Sequence, residues 1–299
     1  MSFNYNDEEI DGYYVSSKMK RVWAAELNML RIFDALCRKH GFTYYVSYGT
    51  LLGAARHKGF IPWDDDIDLF MMRDEYMKLL QVAPNEISEP YFFQNAYTDS
   101  MVWDFSKIRD SRTTAIEFPD MQESFHQGIF IDIFPIDSTD DGTSGMQMVT
   151  RIKQNIWDCI YNREAIRKNL DNPDIWKLFA IDKGMVLELV NMSYQDAMRC
   201  FEDFCNSHLY DTNILRCWSS EVMGNLYKHY EREWFAKVLY LPICDMMVPV
   251  PSGYERILEM EYKNWRTPVI GGSLHDGMIL DPDIPYKESL RLLKQTGGK

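Results

Sequence analysis

No stretch of this sequence reaches the ~18 to 20 consecutive apolar residues of a membrane-spanning helix. Positive charge is also in short supply, with 32 Lys and Arg against 45 Asp and Glu, a net charge of −13. That balance excludes a general nucleic-acid surface, which needs a basic face. It leaves room for a single nucleotide bound in a local basic pocket beside a metal. Cysteine is sparse, with six residues: Cys37, Cys159, Cys200, Cys205, Cys217 and Cys244. They form neither a C-x-x-C pair nor a Cys/His zinc pattern. Cys200 and Cys205, the nearest two, read as small apolar packing residues. The amino-terminal MSFNYNDEEIDG is acidic and polar, without a signal-peptide h-region. There is no internal repeat and no low-complexity segment. These absences describe a soluble, cytoplasmic protein in a reducing compartment.

What is present is apolar and aromatic: 46% hydrophobic residues, 14% aromatics, eight Trp and eighteen Tyr among 299 residues. A sizeable core follows, in one large domain or one domain with an appendage. Trp23, Leu27, Leu30, Phe33 and Cys37 recur at helical spacing and predict a helix over 17–39, with Gly41 as its C′ residue. TYYVSY (43–48) predicts a strand, LLGAARH one or two helical turns, 67–72 a short buried strand and 74–82 a helix. Strands are expected at 91–97, 102–109 and 113–118. GIFIDIFPI (128–136) is the most strand-like segment. From about residue 146 the pattern turns helical, and 173–208 continues it. MMVPVP (246–251) reads as extended, with Ser252 capping a helix to about 264. The Gly- and Pro-rich 267–285 reads as a loop. The order gives an α+β fold with a small mixed sheet. We divide it into a core over 1–139, a mainly helical insertion over 140–245 and a C-terminal return over 246–299.

One stretch concentrates negative charge: in WDDDIDLF, Asp64, Asp65, Asp66 and Asp68 crowd together before an apolar run. Two carboxylates about 4 Å apart repel by ~4 kcal/mol near a protein surface, so a compensating cation is expected. In a strand, Asp66 and Asp68 face the same side while Ile67 and Leu69 bury on the other. Ile131-Asp132-Ile133 repeats the pattern inside an apolar strand. If the two strands are neighbours, three carboxylates can hold one or two Mg²⁺ ions through oxygen. A solvated acidic turn does not account for the second, buried Asp. An EF-hand would place Asp64, Asp66, Asp68 and Glu75 at its ligand positions, but its required Gly is Leu69. A nucleotide-sugar glycosyltransferase with a D-x-D motif would carry a longer βαβ unit upstream. Sixteen residues before Asp66, Gly49-Thr50 lies between a strand and a helix, where free N–H groups attract phosphate. Arg56 and His57 follow it by about two helical turns. Lys107 and Arg109 share one strand face, with Arg112 nearby. The alternative for each cation is a salt-bridging residue, and for His57 and His275 a structural histidine.

The run G-T-L-L-G-A-x-R-H-x-G-F-I-P-W-D-D-D-I-D, residues 49–68, resembles the signature of the LicD family. GIFIDIFPID (128–137) resembles its second block, and 248–268 matches more loosely. The family is similar to fukutin and the fukutin-related protein and has the nucleotidyltransferase fold. The resemblance implies metal-dependent transfer of phosphocholine, or another alkyl-phosphate group, from a CDP-alcohol donor such as CDP-choline. The acceptor would be a sugar hydroxyl of a cell-surface glycan or its precursor, and CMP would leave. It implies Asp66, Asp68 and Asp132 as catalytic residues, with Asp64, Asp66, Asp68 and Asp132 binding Mg²⁺ or Mn²⁺. Gly49, Thr50, Arg56, His57, Lys107 and Arg109 form the candidate substrate-binding set. The branch with a cysteine zinc site has no counterpart here, so no structural zinc is expected. The family's Y-G-x-x-[YW] pattern reads Tyr262, Lys263, Asn264, Trp265, with Lys in place of Gly. Two other readings stand beside this one: transfer of NMP from an NTP to a small molecule, and a non-catalytic nucleotide- or metal-binding module.

Overall fold

The computed structural model describes residues 4–99, 103–117, 125–222, 228–271 and 277–295. A hairpin of β1 (Glu8–Ile10) and β2 (Tyr13–Val15) precedes α1 (Ser17–His40). Ser16 starts α1 by accepting a bond from the Met19 N–H at 3.1 Å, satisfying one of the helix's orphan donors. Gly41 ends it at φ 71°, a conformation glycine adopts without a Cβ penalty. The stripe Trp23, Leu27, Leu30, Phe33 and Cys37 is buried, as its period predicts.

β3 (Tyr45–Val46), α2 (Tyr48–Arg56), β4 (Asp68–Met72), α3 (Arg73–Glu86), β5 (Tyr91–Gln94), β6 (Ser106–Asp110), β7 (Thr114–Ile116) and β8 (Phe130–Ser138) follow. All nine residues of β8 are buried, which is why its sequence reads as continuously apolar. It is the central strand of a seven-stranded mixed sheet. β4 runs parallel along one edge of β8, from Asp68↔Asp132 to Met72↔Ile136. β6 pairs antiparallel with the other edge over Phe130–Ile133. β3 flanks β4 and β5 flanks β6. The α+β class expected from the element order is the one observed.

Helices α4 (Ser144–Tyr161), α5 (Arg163–Lys168), α6 (Lys183–Asn191) and α7 (Tyr194–Ser207) come next. The helical insertion is shorter than 140–245. β9 (Ile214–Cys217) returns to pair with the end of β8, and β10 (Tyr230–Glu231) pairs with β9, with α8 (Trp218–Val222) between them. These strands have two to four residues, too few for a period to register. β11 (Val238–Ile243) and β12 (Met246–Pro251) form a ribbon. α9 (Tyr254–Tyr262) is preceded by Gly253. Ser252 does not cap it, because its hydroxyl is donated to the Trp234 carbonyl at 3.0 Å. The Gly- and Pro-rich segment contains β13 (Ile279–Asp281), which pairs with β7 ahead of α10 (Tyr286–Gln295). Three apolar clusters result among the described residues, the smallest of them Ile116, Tyr286 and Leu290 where α10 meets β7. The largest lies around the sheet, α1, α2 and α9. The second is formed by α4–α7 with Ala96 and Trp218.

Candidate active site

Strand register assembles the chemistry. Asp68 is opposite Asp132, Asp132 opposite Lys107, and Lys107 opposite Gln94, so four polar side chains form one row across β4, β8, β6 and β5. Register partners share a face, so the two h-D-h strands place Asp68 and Asp132 side by side, as the sequence predicts. Lys107 Nζ lies 3.0 Å from Asp132 Oδ1 and 3.1 Å from Oδ2. It also sits 3.4 Å from the centroid of the Phe130 ring. Burial raises the Asp132 carboxyl, Lys107 opposes that shift and Glu117 adds to it. Asp68 is driven well above the ordinary carboxylate range by burial, then by Asp66, Asp132 and Asp64, against the pull of Lys107.

Residues 64–67 lead into β4, which begins at Asp68 and not at 67, so Asp66 lies just before the strand expected to carry it, while its charge still acts on Asp68. The carboxylate oxygens of Asp64, Asp65 and Asp66 lie within 4.8 Å of one another. The loop is pinned from two sides. The Trp23 indole N–H donates to the Asp64 carbonyl at 2.9 Å. A Cβ at Gly49 would collide with Asp64 Oδ2, so a side chain there would displace the Asp64 carboxylate from where α2 meets the acidic loop. The donor set is all oxygen and includes several carboxylates, which fits a hard divalent cation. Behind the loop stands Glu26 of α1, 1% exposed, with Oε2 lacking any hydrogen-bond partner. Orphan oxygens of this kind are what a cation satisfies. Asp66, Asp68, Asp132 and Asp64 are the residues that would hold it.

Several expected substrate ligands are placed otherwise. Thr50 does not present its hydroxyl to a phosphate. It lies inside α2, 4% exposed, and its Oγ1 accepts from the Asp68 N–H at 2.8 Å, which fixes the first residue of β4. Arg109 is fully buried. Its guanidinium donates to Gln94 Oε1, to the Gly128 carbonyl at 2.8 Å and to Glu117 Oε1 at 2.9 Å, so it braces β6 and carries no accessible charge. Arg112 is paired with Asp110 away from the row. Arg56 donates to the Trp265 carbonyl at 2.9 Å, tying α2 to the segment after α9. His57 Nε2 lies 3.1 Å from Asp11 Oδ2 in the β1–β2 turn. Burial and Arg56 hold its imidazole below the ordinary value. His275 lies outside the described residues. Of the expected cations, Lys107 is the one that meets the carboxylate row directly.

Residues 41–166 match the family described as LicD/FKTN/FKRP, nucleotidyltransferase domain. Over that stretch the chain is similar to the LicD family's nucleotidyltransferase domain. The matched stretch runs from just before β3 into α5 and contains the whole row of Asp68, Asp132, Lys107 and Gln94. The chain is 42% identical over 111 residues to the lipopolysaccharide cholinephosphotransferase LicD of Haemophilus influenzae. The match covers 35% of this chain and 40% of that protein. An uncharacterized Rickettsia prowazekii protein, RP689, is 34% identical over 95 residues, 32% of each chain. The chain therefore spans well under half the length of these relatives. Glu26 and Trp23 lie outside the matched stretch yet face its acidic loop. Glu26 lies three residues after Trp23 and four before Leu30, on the buried stripe of α1. Tyr262, the last residue of α9, borders the same carboxylates and was also missed.

Proposed function

We propose that this chain is a metal-dependent phosphotransferase. It moves a phosphocholine-like group from a CDP-alcohol such as CDP-choline to a sugar hydroxyl of a cell-surface glycan or its precursor, releasing CMP. The observation that carries this reading is the in-register Asp68–Asp132–Lys107 row inside a LicD-like stretch. The cholinephosphotransferase activity of the Haemophilus relative supports the choice of transferred group.

Phosphoryl transfer asks a protein mainly for positioning and charge neutralisation. A divalent ion at Asp66, Asp68, Asp132 and Asp64 would offset the charge of the donor diphosphate. The chain's own residues divide the remaining work. Thr50 fixes the Asp68 backbone. Lys107 holds Asp132 by charge and proximity. Asp132 accepts the proton of the acceptor hydroxyl as its oxygen bonds to the phosphorus, and the bond from that phosphorus to the CMP oxygen breaks.

The test is to incubate the protein with Mg²⁺, CDP-choline and a glycan acceptor and to measure released CMP. Asp68→Asn and Asp132→Asn should each lower turnover by roughly 10²-fold or more, the scale on which loss of one charge-stabilising group is felt. Metal-free thermal stability should hold or rise in Asp68→Asn, through relief of repulsion, and fall in Asp132→Asn, which strips the buried Lys107 ammonium of a partner. Diphosphate released from CTP or ATP would favour the nucleotidyltransferase reading. Metal-dependent nucleotide binding without turnover would favour a binding module. Turnover that survives in both variants rejects the site.

A further inference from the structure

A cleft of about 700 Å³ opens between β5 and α10, away from the acidic loop. Small-ligand sites occupy roughly 300–1,000 Å³. The floor is aromatic. Phe92 of β5 stacks on His126 with ring centroids 5.2 Å and planes 11° apart, and His126 meets the Tyr286 ring of α10 at 4.3 Å. Phe92 is opposite Arg109 and two residues before Gln94, so it shares a face of the sheet with the carboxylate row, about 12 Å from Asp132 by strand spacing. Gln94 joins the two, its amide donating to Asp99 Oδ2 at 2.8 Å and to the His126 carbonyl at 3.1 Å. The Gly128 N–H donates to His126 Nδ1 at 3.2 Å, and burial pushes the imidazole down to about 3, so the neutral ring carries its proton on Nε2. Nε2 donates to Ser111 Oγ at 2.9 Å, which leaves the Ser111 hydroxyl proton for a group in the cleft. The opposite wall is cationic. Lys287, Arg291 and Lys294 of α10 line the cleft at spacings of four and three, one helix face. In a chain of net charge −13 this wall is a local exception. Arg291 Nη2 lies 3.6 Å from Glu288 Oε1 with both side chains exposed, a pairing that water makes weak. The Tyr286 N–H donates to the Thr113 carbonyl at 2.8 Å and Thr114 Oγ1 to the Ile284 carbonyl at 2.7 Å, so the wall is fixed to β7. A solvated helix face accounts for the cations by themselves, but not for their sharing a cleft with an aromatic floor and an oriented hydroxyl.

We propose that this cleft binds a phosphate-bearing sugar of the acceptor glycan. The apolar face of the sugar ring lies against Phe92 and Tyr286. Its phosphate meets the forked guanidinium of Arg291, with Lys287 beside it. A doubly charged phosphate, more than a carboxylate, matches three cations on one wall. The donor's own diphosphate is neutralised at the Asp68–Asp132 centre, so these cations answer a second anion. At this distance from Asp132 an oligosaccharide fills the cleft with one sugar and presents the hydroxyl of another to the phosphorus. The assignment of the sugar to the acceptor rests on the transferase reading, but its binding in the cleft does not.

Isothermal titration calorimetry on the intact chain, without divalent cations, tests the cleft with glucose 1-phosphate and glucose 6-phosphate against glucose, inorganic phosphate and CMP. The wild type should bind a sugar phosphate more tightly than glucose or inorganic phosphate alone. Lys287→Ala and Arg291→Ala, both at exposed positions, should each weaken that binding by roughly tenfold, the scale of one charge-assisted hydrogen bond. Asp132→Asn should leave it unchanged. In the CMP-release assay the same sugar phosphate should compete with the glycan acceptor and not with CDP-choline. Several results would overturn the proposal: no binding of either sugar phosphate, equal binding of inorganic phosphate, or wild-type affinity in both α10 variants. CMP binding that falls in the α10 variants would give the cleft to the donor and overturn it too. Sugar-phosphate binding that leaves the acceptor's KM untouched would make the ligand a free sugar phosphate and overturn the acceptor assignment. Absence of any CMP release would reject the transferase reading, while calorimetry would still decide whether the cleft binds a sugar phosphate.

Discussion

Lys263 leaves α9 at φ 52° and ψ −104°, in a region of backbone space that glycine enters freely and other residues enter at a cost of ~1–3 kcal/mol. The family resemblance places Gly at this position, so the strain belongs to this sequence and not to the fold. Lys263→Gly should raise stability by about 1 kcal/mol, the strain relieved less the extra entropy of an unfolded glycine. Thermal or urea unfolding reads this directly. An unchanged or lower midpoint would mean that the lysine side chain, and not the backbone, holds the turn. At this scale legibility depends on pattern. Asp68 and Asp132 were readable because h-D-h puts a charge in a buried strand twice. Glu26 was not singled out, because one carboxylate among the many charged residues of α1 gains meaning only when the loop of Asp64–Asp66 is folded against it. Thr50 was read as a phosphate ligand because a hydroxyl after glycine suits phosphate. Its observed partner, the Asp68 N–H, lies eighteen residues away and follows from tertiary packing.

Between elements, a buried ionic clasp joins α3, β8 and α4. Arg73 donates to Asp137 through Nε at 2.7 Å and Nη2 at 2.8 Å, and Lys153 Nζ lies 3.4 Å from Asp137 Oδ2. Burial pushes the Asp137 carboxyl up, but Arg73 and Lys153 more than offset it and leave it at about 2. The folded value is thus below the unfolded ~3.9. The stability it contributes is present above the unfolded value and is lost as pH falls through about 2. Wild-type urea midpoints should decline as pH drops from about 4 toward 2. Asp137→Asn should flatten that decline, and at pH 7 it should cost roughly 3–5 kcal/mol because a buried guanidinium is left uncompensated. Equal acid limbs in both proteins would remove Asp137 from the account. The sequence showed Asp137 only as the last residue of FPID. α1, α3, β8 and α4 were placed from their periods, while β11 and α10 were not. β9, β10 and β13 escaped because pairing partners, and not their own composition, make them strands.

For the molecule as a whole, the question is whether the helical insertion is a separate body. Its apolar cluster is distinct, yet it is joined to the sheet at several points. Trp218, the first residue of α8 just after β9, is fully buried against Trp157 and Phe201, with ring centroids 6.2 and 5.6 Å away. The Tyr97 hydroxyl, just past β5, donates to Glu202 of α7. Tyr210 donates to Asp74 of α3 at 3.0 Å. The chain leaves the sheet and re-enters it at register partners, Ser138↔Leu215, so the insertion is closed at its base by a ladder and not by a flexible linker. Contacts of this density predict one cooperative unfolding transition. Phe201→Ala, at a fully buried position in α7, should cost about 3–5 kcal/mol and shift the whole transition. Far-UV circular dichroism and tryptophan fluorescence should stay coincident in urea, while Asp132-dependent cation binding should be unchanged below the transition. Separation of the two probes in Phe201→Ala, with cation binding retained past the first step, would instead show that the insertion unfolds on its own. The sheet would then hold the acidic row in place without help from the helices.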